Sequence, residues 1–305
     1  MHNELLHAYL TAPYPCSYLP EQQARSEVVI PIQPVSNAVY QQLYVGLVRE
    51  GFRRSGPYVY RPRCDACQAC TALRVRTHDF KPDRSQRRSA ARHADLVVRV
   101  RPVGFDAEHF ALYQRYQSHR HVGGGMDQDS AKQYAESMLP SRVHTRIIEF
   151  REPDLGPNEE LGQLRIVSLV DVLDDGLSAV YTFFDPDVVG ASYGTYAVLW
   201  QIERARRLGL PYVYLGYWIE GCRKMNYKTR FTPHEVLIDG RWQALKLASA
   251  SSKRAAAASK VPADPATPAD AACKSSAAND PSAPKVEAVP SVRPSPHPKH
   301  PSTGA

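Results

Sequence analysis

Residues 177–219 hold the pattern that most restricts the fold. "LSAVYTFFDP" alternates as a strand does and "GASYGTY" is a loop of small residues. "AVLWQIERARRLG" then carries Ala197, Ile202 and Ala205 near helical spacing, with Gly209 as a stop, and "YVYLGYWI" returns to strand. Upstream, "TRIIEF" and "ELGQLRIVSLVDVL" read as further strands joined by turn signals such as "DDG". Helical stretches in "AEHFALYQRYQSHRH" and "DSAKQYAESML" flank the glycine-rich turn "HVGGGMD". Strands first, and then loop, helix and strand, predict an α+β class.

The chain divides by charge. Residues 1–105 carry 15 Lys plus Arg against 8 Asp plus Glu, whereas residues 106–245 carry 15 against 19. A basic module beside a mildly acidic one points to a polyanionic partner for the first. Beyond residue 245 the composition collapses into Ala, Ser, Pro and Lys, too poor in aromatic and β-branched residues to offset the entropy of ordering. We therefore expect a basic α+β domain over 1–105, a second domain over 106–245 and a disordered tail over 246–305, which holds Cys273. No run of about eighteen apolar residues occurs, so no membrane span is expected. Cysteine usage suits a reducing cytoplasm.

In the first module Val39, Leu43 and Leu47 fall at helical spacing, with Ser36 or Asn37 to cap the helix and Gly51 to end it. "SGPYVYRPRC", "ALRVRTHDF" and "DLVVRVRP" read as strands. Between the last two, Arg84, Arg88 and Arg92 share one face of a helix, with Arg87 close by.

"YRPRCDACQACTALRV" places Cys64, Cys67 and Cys70 at C-x2-C-x2-C spacing, and Cys16 is the only other cysteine of this module. Three thiolates side by side repel or oxidise unless a cation neutralises them, so four thiolates around one metal centre is the sharp expectation. Structural zinc and an iron–sulfur cluster both remain open. Small thiols that merely pack a loop are the plainer reading.

The loop–helix–strand at the end of the second module has the outline of an acetyl-CoA-type acyltransferase. Gly190 and Gly194, however, lack the basic lead-in that a coenzyme A pyrophosphate loop usually carries. In "YVYLGYWIEGCRKMNYKTRF", period-two alternation puts Tyr212, Tyr214, Gly216 and Trp218 on one face of a strand, and Val213, Leu215, Tyr217 and Ile219 on the other. Arg223, Lys224, Lys228 and Arg230 follow, interleaved with Met225, Tyr227 and Phe231. Cations beside aromatics suit a phosphate, a carboxylate or a stacked base.

Taken in order, "CSYLP", "GFRRSGPYVYRPRCDACQACTALRV", "FKPDRSQRR", "SYGTYAVLWQIERARRLGL" and "YLGYWIEGCRKMNYKTRFTPHE" resemble the bacterial leucyltransferases that act on proteins beginning with Asp or Glu. These are relatives of the eukaryotic arginyl-tRNA–protein transferases. The resemblance spans roughly Leu5 to Trp242. It implies an acetyltransferase-like (GNAT-type) catalytic domain, a smaller cysteine-containing amino-terminal domain, an aminoacyl-tRNA donor and entry of the product into the N-degron pathway. Cys16, Cys64, Cys67 and Cys70 match its cysteine pattern. His121 and Met126 match its "RH-x-x-G-x-M" motif across a loop that is richer in glycine here.

On that reading, the acceptor α-amine attacks an ester already activated in leucyl-tRNA, so no cofactor is needed for the chemistry. Arg53, Arg54, Arg61, Arg84, Arg87 and Arg88 are expected to hold tRNA phosphates. A cleft beside Tyr214, Gly216 and Tyr217 would receive the two substrates, with Tyr193 and Tyr227 lining it. Lys228 or Arg230 would meet the acidic side chain of the acceptor, and Arg223 or Lys224 the tRNA end. Tyr217, Glu220 and a water are the alternatives for the general base. Three other readings compete: arginyl-tRNA as donor, coenzyme-A-dependent N-acetylation, and a non-catalytic redox-sensing nucleic-acid binder.

Overall fold

The computed structural model describes residues 5–121, 126–153 and 162–245. The expected tail over 246–305 lies outside the described residues, as does the centre of the "HVGGGMD" turn. The first part of the chain forms β1 (Leu6–Leu10), β2 (Tyr14–Pro15), β3 (Gln23–Ala24), β4 (Ser26–Pro31), α1 (Asn37–Arg49), β5 (Arg53–Ser55), β6 (Tyr58–Pro62), β7 (Thr71–Arg76), α2 (Arg84–Arg92) and β8 (Val97–Arg101). There follow α3 (Ala107–Arg120), α4 (Ala131–Met138), β9 (Thr145–Arg151), β10 (Leu164–Val172), β11 (Gly176–Phe184), α5 (Tyr193–Arg207), β12 (Tyr212–Trp218), β13 (His234–Ile238) and β14 (Arg241–Ala244).

Short polar side chains start four of the helices. Ser36 accepts from the Val39 amide, Asp106 from those of Glu108 and His109, and both Asp83/Gln86 and Ser130/Gln133 form reciprocal capping boxes. Of the apolar positions expected on α1, Leu43 and Leu47 are buried, whereas Val39 faces solvent.

Eight strands form one sheet in the order β14-β13-β7-β12-β11-β10-β9-β8, and four form a smaller sheet, β1-β4-β6-β5. In the large sheet the β11–β12 pair is parallel and the other pairs are antiparallel. A parallel pair needs a crossover, which α5 supplies. Helix α5 buries Ala197, Val198, Ile202 and Ala205 in a core shared with Val213 and Leu215 of β12. A second core joins α3 and α4 to β9, β10 and β11, and a third joins α1 to the small sheet, Leu173 and Tyr214.

The boundary expected at residue 105 does not divide the sheet. Strands β7 and β8 belong to the 1–105 stretch, yet β7 lies between β12 and β13 and β8 pairs with β9. The reason is apolar content: Leu73 and Val75 are as buried as any core residue of the second module, and only the large sheet can cover them.

Candidate active site

Strands β11 and β12 pair only over Gly176–Ser178 against Tyr212–Tyr214 and then part company. Parting parallel strands leave backbone groups without ladder partners, and these must be satisfied by something else. Arg53 of β5 fills the gap: its guanidinium donates to Ser178 Oγ and the Tyr214 carbonyl, both at 3.3 Å, and to the Ala179 carbonyl. At the same point β12 bulges between Tyr214 and Gly216, and Gly216 has φ +77°. A Cβ at Gly216 would stand 3.1 Å from Arg53 Cζ. Glycine is therefore required twice, for the left-handed backbone and for the guanidinium lying against it.

The bulge also corrects the expected alternation of β12. Tyr212 and Tyr214 face the core of the small sheet, and Val213 and Leu215 face α5, as expected. The extra residue then turns Trp218 to the α5 side with Leu215, while the Tyr217 hydroxyl donates to the carbonyls of Gly51 and Tyr60. Tyr214 is no cleft residue: it is buried, its hydroxyl donates to Asp175 and accepts from Arg74, and burial holds its pKa above the ordinary range. Burial likewise keeps the Tyr217 phenol well above the ordinary range, so it is protonated and committed to two carbonyls.

Two of the expected phosphate contacts are corrected. Arg53 is the buried wedge just described, and Arg54 is a buried partner of Asp171, with Nε and Nη2 at 2.7 and 2.8 Å from its carboxylate oxygens. Tyr44 and Thr145 complete that carboxylate's bonds at 2.7 and 2.6 Å. Arg61 is half-buried, 2.7 Å from Glu27 and stacked over Phe52. Arg84, Arg87 and Arg88 do face solvent, together with Arg92, along α2.

Lys228 is buried, and its ammonium donates to the Tyr217 carbonyl at 2.5 Å. Burial first, and then Arg53, push its pKa down to about 7, with Cys70 opposing. Arg230 reaches back to α2, bonding Ser85 and lying 3.6 Å from Asp83. Thus Lys228 is not free to greet the acceptor, whereas Arg230 remains exposed beside α2. Arg223, Lys224, Tyr227 and Glu220 are exposed along the turn after β12. Tyr193 is buried at the start of α5, its ring 6.2 Å from Phe184 and 4.7 Å from His93.

Four side chains gather where β11 ends, of which sequence reasoning singled out only His121. Tyr116 of α3 packs against Phe184 at 4.9 Å and His121 at 5.4 Å, and Arg120 lies over Phe184. Only the shared "RH" motif hinted at this site.

The four cysteines come together. Cys16, Cys64, Cys67 and Cys70 line one cavity of about 30 Å³, walled also by Tyr14, Tyr18 and Arg25. Burial raises the Cys64 thiol, and Cys67 and Cys16 raise it further, which marks sulfurs close enough to repel once ionised. Asp106, His109 and Glu149 also crowd together. There, Arg101 and Arg151 already pair with Glu149, and His109 bonds it at 2.9 Å, so the cluster is an ion-pair network.

Comparison with known proteins identifies the family. The family model described as "Arginine-tRNA-protein transferase, N terminus" matches residues 14–88, and its C-terminus counterpart matches residues 108–238. A protein named aspartate/glutamate leucyltransferase from Chromobacterium violaceum is 54% identical over 79% of this chain and 94% of its own. Relatives of the same name from Polynucleobacter asymbioticus and Pseudomonas aeruginosa are 50% and 48% identical, over 79% and 78% of this chain and 94% and 96% of theirs. The chain therefore belongs to the aspartate/glutamate leucyltransferases of the arginine-tRNA-protein transferase family.

Proposed function

We propose that the protein transfers leucine from leucyl-tRNA to the amino-terminal Asp or Glu of acceptor proteins, marking them for N-degron degradation. The observation that carries this reading is the gap between β11 and β12, wedged open by Arg53 in a chain whose relatives bear that name. The same gap supports an acetyltransferase-like catalytic domain. The acceptor amine attacks the leucyl ester carbonyl and a C–N bond forms; the C–O bond breaks with its electrons on the ribose oxygen, and the proton lost by the amine ends on that oxygen as the ribose hydroxyl. Holding the two reactants in attack geometry supplies most of the rate, because the ester is already activated. Tyr217 is not the base, since its proton is held between two carbonyls.

The exposed arginines of α2 provide the donor surface, as phosphate contacts are made at an open, basic face. The cysteine cavity suits a single thiolate-bound cation held by Cys16, Cys64, Cys67 and Cys70, which would tie the segment before β7 to the strand–turn at β2 and β3. Among the described residues no helix is long and apolar enough to cross a membrane. An aminoacyl-tRNA donor supports a reaction in the cytoplasm.

A filter assay tests the reading: radiolabelled leucyl-tRNA, arginyl-tRNA and acetyl-CoA, each with peptides beginning Asp, Glu or Ala. Leucine should pass to the acidic peptides. Transfer from acetyl-CoA without tRNA, or arginine transferred in preference to leucine, would reject it.

A further inference from the structure

The buried ring of His121 has no hydrogen-bond partner for either nitrogen among the described residues. It closes the end of α3 beneath Tyr116, and Tyr116 packs on Phe184, the last residue of β11. Arg120 extends over the Phe184 ring, and the charge of Lys224, in the turn after β12, is felt at His121. Both parting strands thus lead to this spot. Neither Arg120 nor Lys224 forms an ion pair among the described residues, and both side chains are exposed. The buried imidazole without a partner is the costly element, and the two exposed cations beside it favour an anion as the ligand that would relieve it.

We propose that Arg120, His121 and Lys224 form the subsite that receives the side-chain carboxylate of the acceptor's amino-terminal residue. This rests on the leucyltransferase reading and adds where its acid specificity resides. A carboxylate there accepts an N–H from the imidazole and neutralises the two cations. Burial, and then the fields of Lys224 and Arg120, hold the His121 pKa near about 4, so the ring is neutral and offers one donor and one acceptor. Burial and Arg120 also lower the Lys224 pKa, which puts both cations in one field. A tRNA phosphate would serve the charges equally well, but polynucleotide backbone is met on open surfaces such as α2, whereas His121 is only 8% exposed.

The test compares peptides that begin with Asp and with its neutral isostere Asn. For Lys224→Ala, kcat/KM for the Asp peptide should fall about ten- to a hundredfold, the value of a charge-assisted bond, with the Asn peptide and the KM for leucyl-tRNA unchanged. Lys224→Glu should remove the preference for Asp altogether, and His121→Phe should lower the Asp rate more than the Asn rate. Lys224 is exposed, so both of its variants should fold, as equal thermal midpoints would verify. Parallel loss on both peptides, or a raised KM for leucyl-tRNA with a shallower salt dependence, overturns the proposal in favour of a tRNA-phosphate site. Failure of the unmodified enzyme to transfer leucine to any peptide would instead reject the leucyltransferase reading.

Discussion

Arg53 and Gly216 define each other: the guanidinium that holds β11 and β12 apart rests where any side chain at 216 would begin. Gly216→Ala should cost about 1–2 kcal/mol for the left-handed backbone alone and should crowd the Arg53 guanidinium, which a Cβ would meet at 3.1 Å. We expect leucyl transfer to fall far more than a melting curve would explain. A variant with native transfer rates would show that the wedge is dispensable.

Arg54 and the α2 arginines should separate cleanly. Arg54→Ala strands the fully buried Asp171 carboxylate and should destabilise the fold by about 3–5 kcal/mol, read by chemical denaturation. Reversing Arg84, Arg87 and Arg88 to Glu should leave stability nearly unchanged. That triple variant should weaken leucyl-tRNA binding and flatten its dependence on salt by roughly one unit of slope per lost contact. A triple variant with native affinity across the salt range would move the donor surface elsewhere.

For the cysteine cavity, we expect one metal equivalent in anaerobically purified protein, and Cys67→Ser should release it and lower the thermal midpoint. Elemental analysis that finds neither zinc nor iron would leave the cysteines as packing groups.

Lys228 carries a pH signature. Its folded pKa of about 7 lies below its unfolded value of 10.5, so between those limits the unfolded chain binds more protons and stability rises with pH. Lys228→Met should remove as much as about 1.4 kcal/mol per pH unit of that slope. Denaturation of both proteins from pH 7 to 9.5 provides the comparison, and identical slopes would mean that Lys228 stays charged when folded.

His121 acts at the acid end. With a folded pKa near about 4 against an ordinary 6.5, its burial costs nothing above that value and progressively destabilises the fold as pH falls from 6.5 toward 4. His121→Phe should flatten this limb in a pH series of melting midpoints.

The helices and the strands β6 to β12 were legible because local periodicity carries them, while β1 to β5, β13 and β14 were too short or too irregular in pattern to stand out; capping chemistry agrees, with Ser36, Asp83, Asp106 and Ser130 opening helices. The bulge was half legible. A glycine within an aromatic strand signals broken pairing, but the face reversal at Trp218 depends on a partner, β7, that is remote in sequence. Arg53 and Arg54 could not be told from surface arginines by type or spacing. Their partners Ser178 and Asp171 lie 125 and 117 residues away, so only the tertiary fold decides their burial.

The place of β7 bears on how the chain can be made. While the ribosome is still translating the second half, β7 has both edges bare, because its neighbours β12 and β13 are among the last strands to emerge. An unpaired, apolar strand is the kind of nascent segment that chaperones shield and that aggregates when they do not. A fragment ending before residue 212 should therefore be insoluble, and supplying residues 106–245 on a second polypeptide should not restore it unless the two are synthesised together.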